Sequence, residues 1–265
     1  MTDQPILTEL DDRGILRLTL DTPERRNALS VAMLESLGEA IERAGADPAV
    51  RVVVIAANGP AFSAGHDLKE ITAARASADR GRAFFSELMT LCSKVMQAIV
   101  NCPRPVIAEV SGIATAAGCQ LVASCDLALA ADDARFATPG VHIGLFCSTP
   151  MVALSRNVAN KHAMEMLLTG EMVSAERAAD IGLVNRAVAP EELREATLAL
   201  ARNIAAKSRH TIAIGKRTFH SQREKSLADA YEEASHVMVE NLLARDAEEG
   251  IDAFIGKRQP VWEDR

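Results

Sequence analysis

One segment constrains the fold of this chain more than any other: an apolar run followed at once by small residues. Residues 105–110 read Pro-Val-Ile-Ala-Glu-Val, which is typical of a buried strand. Residues 111–121, Ser-Gly-Ile-Ala-Thr-Ala-Ala-Gly-Cys-Gln-Leu, then begin a helix. A strand that leads through small residues into a helix N-terminus leaves backbone N–H groups unpaired, and such groups stabilise negative charge on a ligand oxygen. The segment therefore predicts an α/β fold with an anion-stabilising turn.

Strands and helices alternate along most of the chain, and helices alone follow. Further strands are predicted at 15–20, 52–56 and 127–130, and helices at 30–44 and 79–99. Amphipathic helical patterns then occupy 191–207, 211–219, 227–243 and 247–256. Alternation of this kind favours parallel strands joined by right-handed crossovers. We therefore predict a core over residues 1–195 and a helical region over 196–265, which either covers its own core or docks on a neighbouring subunit.

The composition suits one domain with a sizeable core. The chain has 265 residues, 48% of them hydrophobic, and a formal net charge of -7. The acidic balance argues against nucleic acid as a partner. No apolar run reaches the length of a bilayer span, and residues 1–5 lack a basic region followed by an apolar one. We therefore expect a cytoplasmic protein without a membrane partner.

The cysteines give no sign of a metal site or of a disulfide framework. Their number is odd and no two of them form a Cys-x-x-Cys pair: Cys92, Cys102, Cys119, Cys125 and Cys147. Most lie in apolar surroundings, where a free thiol behaves as a small hydrophobic group. We therefore expect buried free thiols and no bound metal.

A second segment has the same character as the first. Residues 61–70 read Ala-Phe-Ser-Ala-Gly-His-Asp-Leu-Lys-Glu, in which the Ala-Gly pair lets the backbone approach a ligand and Asp67 can cap a helix. Alone, the pattern fits a capped loop as well as it fits a binding turn. Two such turns at the carboxyl ends of strands in one sheet face a single crevice. One N–H group from each would form an oxyanion hole with two donors.

These two segments resemble the signatures of the enoyl-CoA hydratase/isomerase (crotonase) superfamily. Residues 61–68 resemble the first signature and residues 111–126 the second. The resemblance also covers residues 21–29, 168–171, 178–184 and 249–258, and the runs 114–126, 136–141 and 144–150 are similar to one branch of the superfamily. It implies a spiral of ββα units with a helical C-terminal region that supports trimers, often paired into hexamers.

The same resemblance implies a coenzyme A thioester as substrate and no permanently bound cofactor. The backbone N–H groups of His66 and Ala117 would form the oxyanion hole. Coenzyme A would lie along Arg25, Arg26, Ala28, Ala64, Asp67 and Leu68, with Phe254 and Lys257 closing its nucleotide end from the same or a neighbouring subunit. The two arginines suit anionic phosphates, and the alternative is that they form a solvated charge pair.

Two glutamates that the superfamily's hydratases use are replaced in this chain. At those positions stand Gln120 and Gly140. A glutamine can orient a water molecule but cannot take its proton at neutral pH, and glycine has no side chain. General acid–base catalysis typically contributes ~10²–10⁴-fold. The sequence therefore predicts an intact backbone oxyanion hole with hydration reduced to a trace, unless other groups substitute.

Three residues are candidates for that substitution. The ring of His66 follows the oxyanion-hole glycine and is expected near the thioester. His142 shares a face with Gly140 if residues 141–143 are extended, and otherwise it is a surface or packing residue. Cys147 is a nucleophile if its pKa is lowered, and otherwise it is an inert buried thiol.

Two classes of function fit this sequence. The first is an acyl-CoA enzyme that stabilises a thioester enolate, nominally an enoyl-CoA hydratase but with decarboxylation or isomerisation as alternative reactions. The second is a non-catalytic protein that binds acyl-CoA.

Overall fold

The structure, a computed structural model, describes residues 5–265. Residues 1–4, on which part of the expectation about an N-terminal signal rests, lie outside the described range. Ten strands are present: β1 Ile6–Leu10, β2 Ile15–Leu20, β3 Val52–Ala57, β4 Ala61–Ser63, β5 Val106–Val110, β6 Ile113–Thr115, β7 Leu127–Ala131, β8 Arg135–Ala137, β9 Val173–Ser174 and β10 Arg186–Val188. They form two sheets, one of six strands and one of four.

The larger sheet is parallel except at one edge. Its order is β1-β2-β3-β5-β7-β10, and β1 alone among its described strands runs antiparallel to its neighbour. Strand β3 lies at its centre, between β2 and β5, and its sequence Val-Val-Val-Ile-Ala-Ala is almost fully buried. A continuous run of β-branched residues suits a strand that is covered on both faces.

The smaller sheet, of order β4-β6-β8-β9, corrects one detail of the sequence interpretation. Strands β4, β6 and β8 are parallel, and each follows a strand of the larger sheet after a short connection. The two predicted turns therefore leave β4 and β6, not the long strands β3 and β5. Strands of three residues are too short to show an alternating pattern, so periodicity could not reveal them. The resulting repeat of two strands and a helix confirms the predicted spiral of ββα units.

Eleven α-helices and two 3₁₀ helices connect and follow these strands within residues 5–265. The α-helices are α1 Val31–Ala46, α2 Leu68–Ala74, α3 Arg82–Asn101, α4 Ala117–Ser124, α5 Ser148–Leu154, α6 Asn160–Thr169, α7 Ala175–Asp180, α8 Leu193–Ala205, α9 Arg209–Gln222, α10 Leu227–Leu243 and α11 Arg245–Ile255. The 3₁₀ helices are Pro23–Arg25 and Pro139–Ile143. The Ser30 hydroxyl caps α1 by accepting the Met33 N–H at 3.2 Å, as predicted.

Helix α3 does not fit the expectation that no apolar run reaches the length of a bilayer span. By length and composition alone it is the one helix in the described residues that could cross a membrane. Its residues Leu88, Cys92, Val95, Met96 and Ile99 are buried, and the helix packs against α1 and α4. One side of α3 therefore packs on the core, and 28% of its apolar 18-residue window is buried.

The C-terminal helices divide into two pairs. Helix α8 lies on the larger sheet, and α9 is tied to the core through the Lys216 ammonium. This group donates to the Asp126 carboxylate at 2.6 Å and to the carbonyls of Ile99 and Arg104 at 3.0 and 3.1 Å. Helices α10 and α11 instead leave large apolar side chains exposed, among them Leu227, Tyr231, Leu243, Phe254 and Ile255. Helix α8 therefore covers the chain's own core, α9 is attached to that core without a buried residue of its own, and α10 and α11 present an apolar surface.

We predict that Lys216→Met lowers the free energy of unfolding by about 3 kcal/mol, because it leaves a largely buried carboxylate and two carbonyls without their cation. Urea denaturation would measure the change. The matched control is Lys161→Met, on the exposed face of α6, which should change stability by less than about 0.5 kcal/mol. Equal effects of the two substitutions would contradict the anchoring role of Lys216.

Candidate active site

Three turns meet at the carboxyl edge of the smaller sheet. Strands β4, β6 and β8 are adjacent and parallel, so the residues after Ser63, Thr115 and Ala137 lie along one edge. The Ala116 N–H donates to the Ala137 carbonyl at 2.9 Å, which joins the second turn to the third. The turns carrying His66, Ala117 and Gly140 therefore lie side by side, as the crevice predicted from sequence requires.

Two glycines let the first and second turns come into contact. Gly65 has φ +88°, and a Cβ placed on it would lie 2.9 Å from the Ala116 Cβ and 3.2 Å from the Ala117 nitrogen. A Cβ on Gly118 would lie 2.2 Å from the Ser63 carbonyl oxygen. Real Cβ atoms do not approach that closely, so side chains at these positions would push the turns apart.

Two backbone N–H groups at this contact are unpaired. Within residues 5–265, neither the His66 N–H nor the Ala117 N–H donates a hydrogen bond, whereas the neighbouring Ala64 N–H donates to the Arg26 carbonyl at 3.0 Å. Ala117 is the first residue of α4, where N–H groups have no partner inside the helix and the helix dipole is positive. Ala116 precedes it with φ 50° and ψ -119°, a strained backbone conformation for a non-glycine residue. The arrangement suits a negatively charged or polarised oxygen.

The loop of residues 22–29 supports the first turn through a buried asparagine that the sequence analysis missed. The Asn27 side chain accepts the Thr22 N–H and donates to the carbonyls of Asn58 and Ala61, each at 2.8 Å. The Leu29 N–H donates to the Gly65 carbonyl at 2.8 Å. A polar residue within a loop next to the arginines was the only available sequence signal, and it did not distinguish support from exposure.

Most of the residues predicted to contact coenzyme A lie around this turn. The guanidinium of Arg25 is exposed and stands 3.6 Å from the Asp67 carboxylate, which caps α2 by accepting the Lys69 N–H at 2.8 Å. Arg26 and Leu68 are exposed, while Ala28 and Ala64 are half-buried. Phe254 and Lys257 are exposed at the end of α11, which packs against α9 and α10. No hydrogen bond or ion pair joins either residue to the turn within residues 5–265.

The His66 ring has one paired and one free nitrogen. Its Nδ1 lies 3.2 Å from the Leu29 carbonyl oxygen. Because a carbonyl can only accept, Nδ1 carries the proton and the neutral ring keeps a lone pair on Nε2. This Nε2 is buried and has no hydrogen-bond partner among the described residues. Burial lowers the pKa of His66 below its ordinary value of 6.5, although the bond to Leu29 opposes the shift.

The two positions of the lost glutamates are each in contact with a thiol. Gln120 is buried, and its Oε1 lies 3.9 Å from the Cys92 Sγ. Burial raises the pKa of the Cys92 thiol to about 11. A Cβ on Gly140 would lie 2.9 Å from the Cys147 Sγ and 2.8 Å from the Leu145 carbonyl oxygen. Burial also raises the pKa of Cys147, so it lacks the lowered pKa that a nucleophile needs.

His142 does not share a face with Gly140. Residues Pro139–Ile143 form a 3₁₀ helix rather than an extended segment, because Pro139 fixes the φ of its first position. The exposed His142 ring lies with its Nε2 2.9 Å from the Thr169 carbonyl oxygen at the end of α6. The condition for a shared face is therefore not met, and His142 is the surface residue that the sequence analysis gave as the alternative.

Comparisons with known proteins show the family to which the chain belongs. The family described as enoyl-CoA hydratase/isomerase matches residues 11–265. The chain is 50% identical to enoyl-CoA hydratase domain-containing protein 3, mitochondrial, of Rattus norvegicus, over 98% of this chain and 85% of the relative. It is 51% identical to the Homo sapiens protein of the same name, over 94% of this chain and 80% of the relative. The predicted resemblance to one branch of the superfamily is confirmed. That branch is the one that contains enoyl-CoA hydratase domain-containing protein 3.

Solved structures give the same result. An enoyl-CoA hydratase of Mycobacterium smegmatis superposes with a TM-score of 0.92 at 52% identity, covering 97% of this chain and 98% of the other. Human enoyl-CoA hydratase domain-containing protein 3 superposes with a TM-score of 0.92 at 50% identity, covering 97% and 100%.

These relatives also correct the expected location. The rat and human proteins are both named mitochondrial, which contradicts the cytoplasmic location inferred from the sequence. Composition and the first five residues were too little evidence for a compartment.

The chain belongs to the enoyl-CoA hydratase/isomerase family. The family match over residues 11–265, the identity to these relatives and the shared fold all show this.

Proposed function

We propose that the protein binds an acyl-CoA thioester at the edge where the three turns meet and stabilises the enolate form of that thioester. The observation that carries this proposal is the pair of unpaired N–H groups, of His66 and Ala117, on turns held in contact by Gly65 and Gly118. A thioester carbonyl oxygen gains negative charge when its α-carbon becomes an enolate. Preorganised donors aimed at such an oxygen lower the barrier, and each is typically worth ~10²–10³-fold in rate.

The side chains around this site limit the reactions that it supports. Hydration of an enoyl thioester needs a base for the attacking water and an acid for the α-carbon. Gln120 supplies neither, and Gly140 faces the protonated thiol of Cys147. The Nε2 of the neutral His66 ring carries a lone pair that can accept a proton or a hydrogen bond. Enolate formation by decarboxylation or by isomerisation needs fewer side-chain groups and is the preferred chemistry.

The binding of coenzyme A itself is attributed to the loop beside the first turn. Arg25 and Arg26 are exposed there and suit the phosphates, while Ala28, Ala64 and Leu68 offer small or apolar contacts. We further propose a homotrimer or a dimer of trimers, supported by the apolar side chains that α10 and α11 leave exposed. In such an assembly Phe254 and Lys257 would close the nucleotide end of a neighbouring subunit's site.

A second candidate function is non-catalytic binding of acyl-CoA. The replacement of both glutamates by uncharged residues, each in contact with a neutral thiol, favours it. This alternative keeps the same ligand and the same backbone donors. It differs from the first proposal only in the absence of turnover.

We expect calorimetry to show binding of crotonyl-CoA and of a malonyl-type thioester, and crotonyl-CoA hydration to run at least ~100-fold below the common enzyme rate of roughly 10 s⁻¹. Gly118→Ala should abolish binding because its Cβ would meet the Ser63 carbonyl. Gly215→Ala, on α9, should leave binding unchanged because a Cβ at that position would have no neighbouring atom within 4 Å among the described residues. Failure of every thioester to bind would refute the proposal. Binding without turnover of any thioester tested would favour the non-catalytic function. Fast hydration of crotonyl-CoA would refute the low hydration rate expected from Gln120 and Gly140.

Any reaction that uses the lone pair of His66 should slow at acid pH, which gives its pH–rate profile an acid limb. A lowered pKa means that the ring stays neutral at pH 7 and is protonated only as the pH falls below 6.5. We therefore predict that activity is constant around neutrality and declines below pH 6.5, and that His66→Gln removes this limb. His142→Gln, on an exposed ring, is the control and should retain it. Because the folded state binds the proton less readily, His66 should also reduce stability as the pH falls through the same range.

We predict that Gly140→Ala lowers the free energy of unfolding by about 1–3 kcal/mol, because its Cβ would overlap the Cys147 Sγ and the Leu145 carbonyl. In a Cys147→Ala background the loss should be smaller, since one of the two overlaps is removed. A Cys102→Ala background, with a buried thiol elsewhere, is the control. An equal loss in all three backgrounds would show that Cys147 does not restrict position 140.

A further inference from the structure

A broad groove with a concentration of positive charge lies beyond the candidate active site. It opens between the segment after α2 and one side of α3, with a volume of about 1270 Å³. Arg75, Arg80, Arg82, Phe85, Met89 and Lys94 line it. Neither the known relatives nor the enolate chemistry assigns a role to these cations.

The protein neutralises the positive charge of this groove only in part, since Asp79 is the one acidic residue of the lining against four cations. The chain carries a net charge of -7, yet none of the four cations forms an ion pair within residues 5–265. The acidic residue of the lining, Asp79, is already engaged. Its carboxylate accepts the N–H groups of Gly81 and Ala83 and the Ser77 hydroxyl, at 2.7–3.0 Å. The groove therefore attracts an anion.

The groove also has an apolar floor, on a helix that contacts the site. Phe85 and Met89 are half-buried on α3, the helix whose Cys92 contacts Gln120. Helix α2 begins directly after the His66–Asp67 turn and ends at Ala74, so Arg75 is the residue that follows it. At about 1.5 Å per helical residue, the length of α2 sets the distance from the thioester turn to the first arginine at roughly 10 Å.

We propose that this groove holds the far end of the acyl group and selects an acyl chain that ends in a carboxylate. This inference rests on the proposed binding of the thioester at His66 and Ala117. An extended chain advances roughly 1.2 Å per bond, so about eight to ten bonds span the distance. The methylene stem would lie over Phe85 and Met89. The terminal carboxylate would reach the guanidinium groups, which bind carboxylates through paired hydrogen bonds.

A plain acyl chain of the same length would use only part of this surface. Its methyl end would gain apolar contact with Phe85 and Met89 but would leave the four cations to water. A carboxylate gains charge-assisted hydrogen bonds in addition, and its attraction to exposed cations weakens as salt rises. The groove therefore binds two ligands with different affinity when they differ only at the end farthest from the thioester.

The experiment is a calorimetric comparison of decanoyl-CoA with its ω-carboxylated counterpart on the full chain. We expect the ω-carboxyl ligand to bind roughly tenfold more tightly at low salt, and this preference to shrink as salt is added. Arg80→Gln/Arg82→Gln should abolish the preference. The control Arg13→Gln/Arg186→Gln removes the same charge from exposed positions elsewhere and should retain it.

Each outcome decides the inference. Equal affinity of the wild-type protein for the two ligands would overturn the selection for a carboxylate while leaving the proposed thioester binding intact. Survival of the preference in Arg80→Gln/Arg82→Gln would overturn the role of the groove. Failure of both thioesters to bind would overturn this inference together with the proposed function. Thermal melts of both double variants establish that they are folded.

Discussion

The contact between two backbone turns is the constraint on which the rest of the site depends. Gly118 lies against the Ser63 carbonyl and Gly65 against Ala116 and Ala117, with no room for a Cβ at either glycine. This approach places the unpaired N–H groups of His66 and Ala117 on two turns that are in contact. The electrostatic part of the site is therefore made of main chain, and it is independent of the side chains around it.

Because of that independence, the proposed thioester site does not require the two glutamates whose positions Gln120 and Gly140 occupy. Gln120 and Gly140 lie next to the turns, but neither contributes to the contact between them. Each is matched by a protonated thiol, Cys92 beside Gln120 and Cys147 beside Gly140. Both positions therefore face neutral groups, and within residues 5–265 the buried His66 Nε2 has no hydrogen-bond partner.

The sequence was sufficient to predict elements that depend on local conformational preferences. It was insufficient to predict elements whose conformation depends on tertiary packing. Small residues and glycines predicted both turns, and Ser30 and Asp67 predicted helix starts, because capping and glycine conformations are local. The strands β4, β6 and β8 were missed, since three residues show no period. Asn27 gave no signal of its support for the first turn, and the conformation around His142 depends on Pro139. The roles of the individual site residues are still predictions.

The smaller sheet also has a consequence for how the site comes into existence. The Thr115 hydroxyl bonds the Ala64 carbonyl across 51 positions of sequence, and β6 must in turn pair with β8. Contacts between such distant segments form only after long loops have closed, which is slow and costs entropy. No fragment that contains a single turn can hold these N–H groups in place. The placement of these N–H groups depends on the completed spiral, so partial opening of the smaller sheet would separate them while much of the larger sheet remained folded.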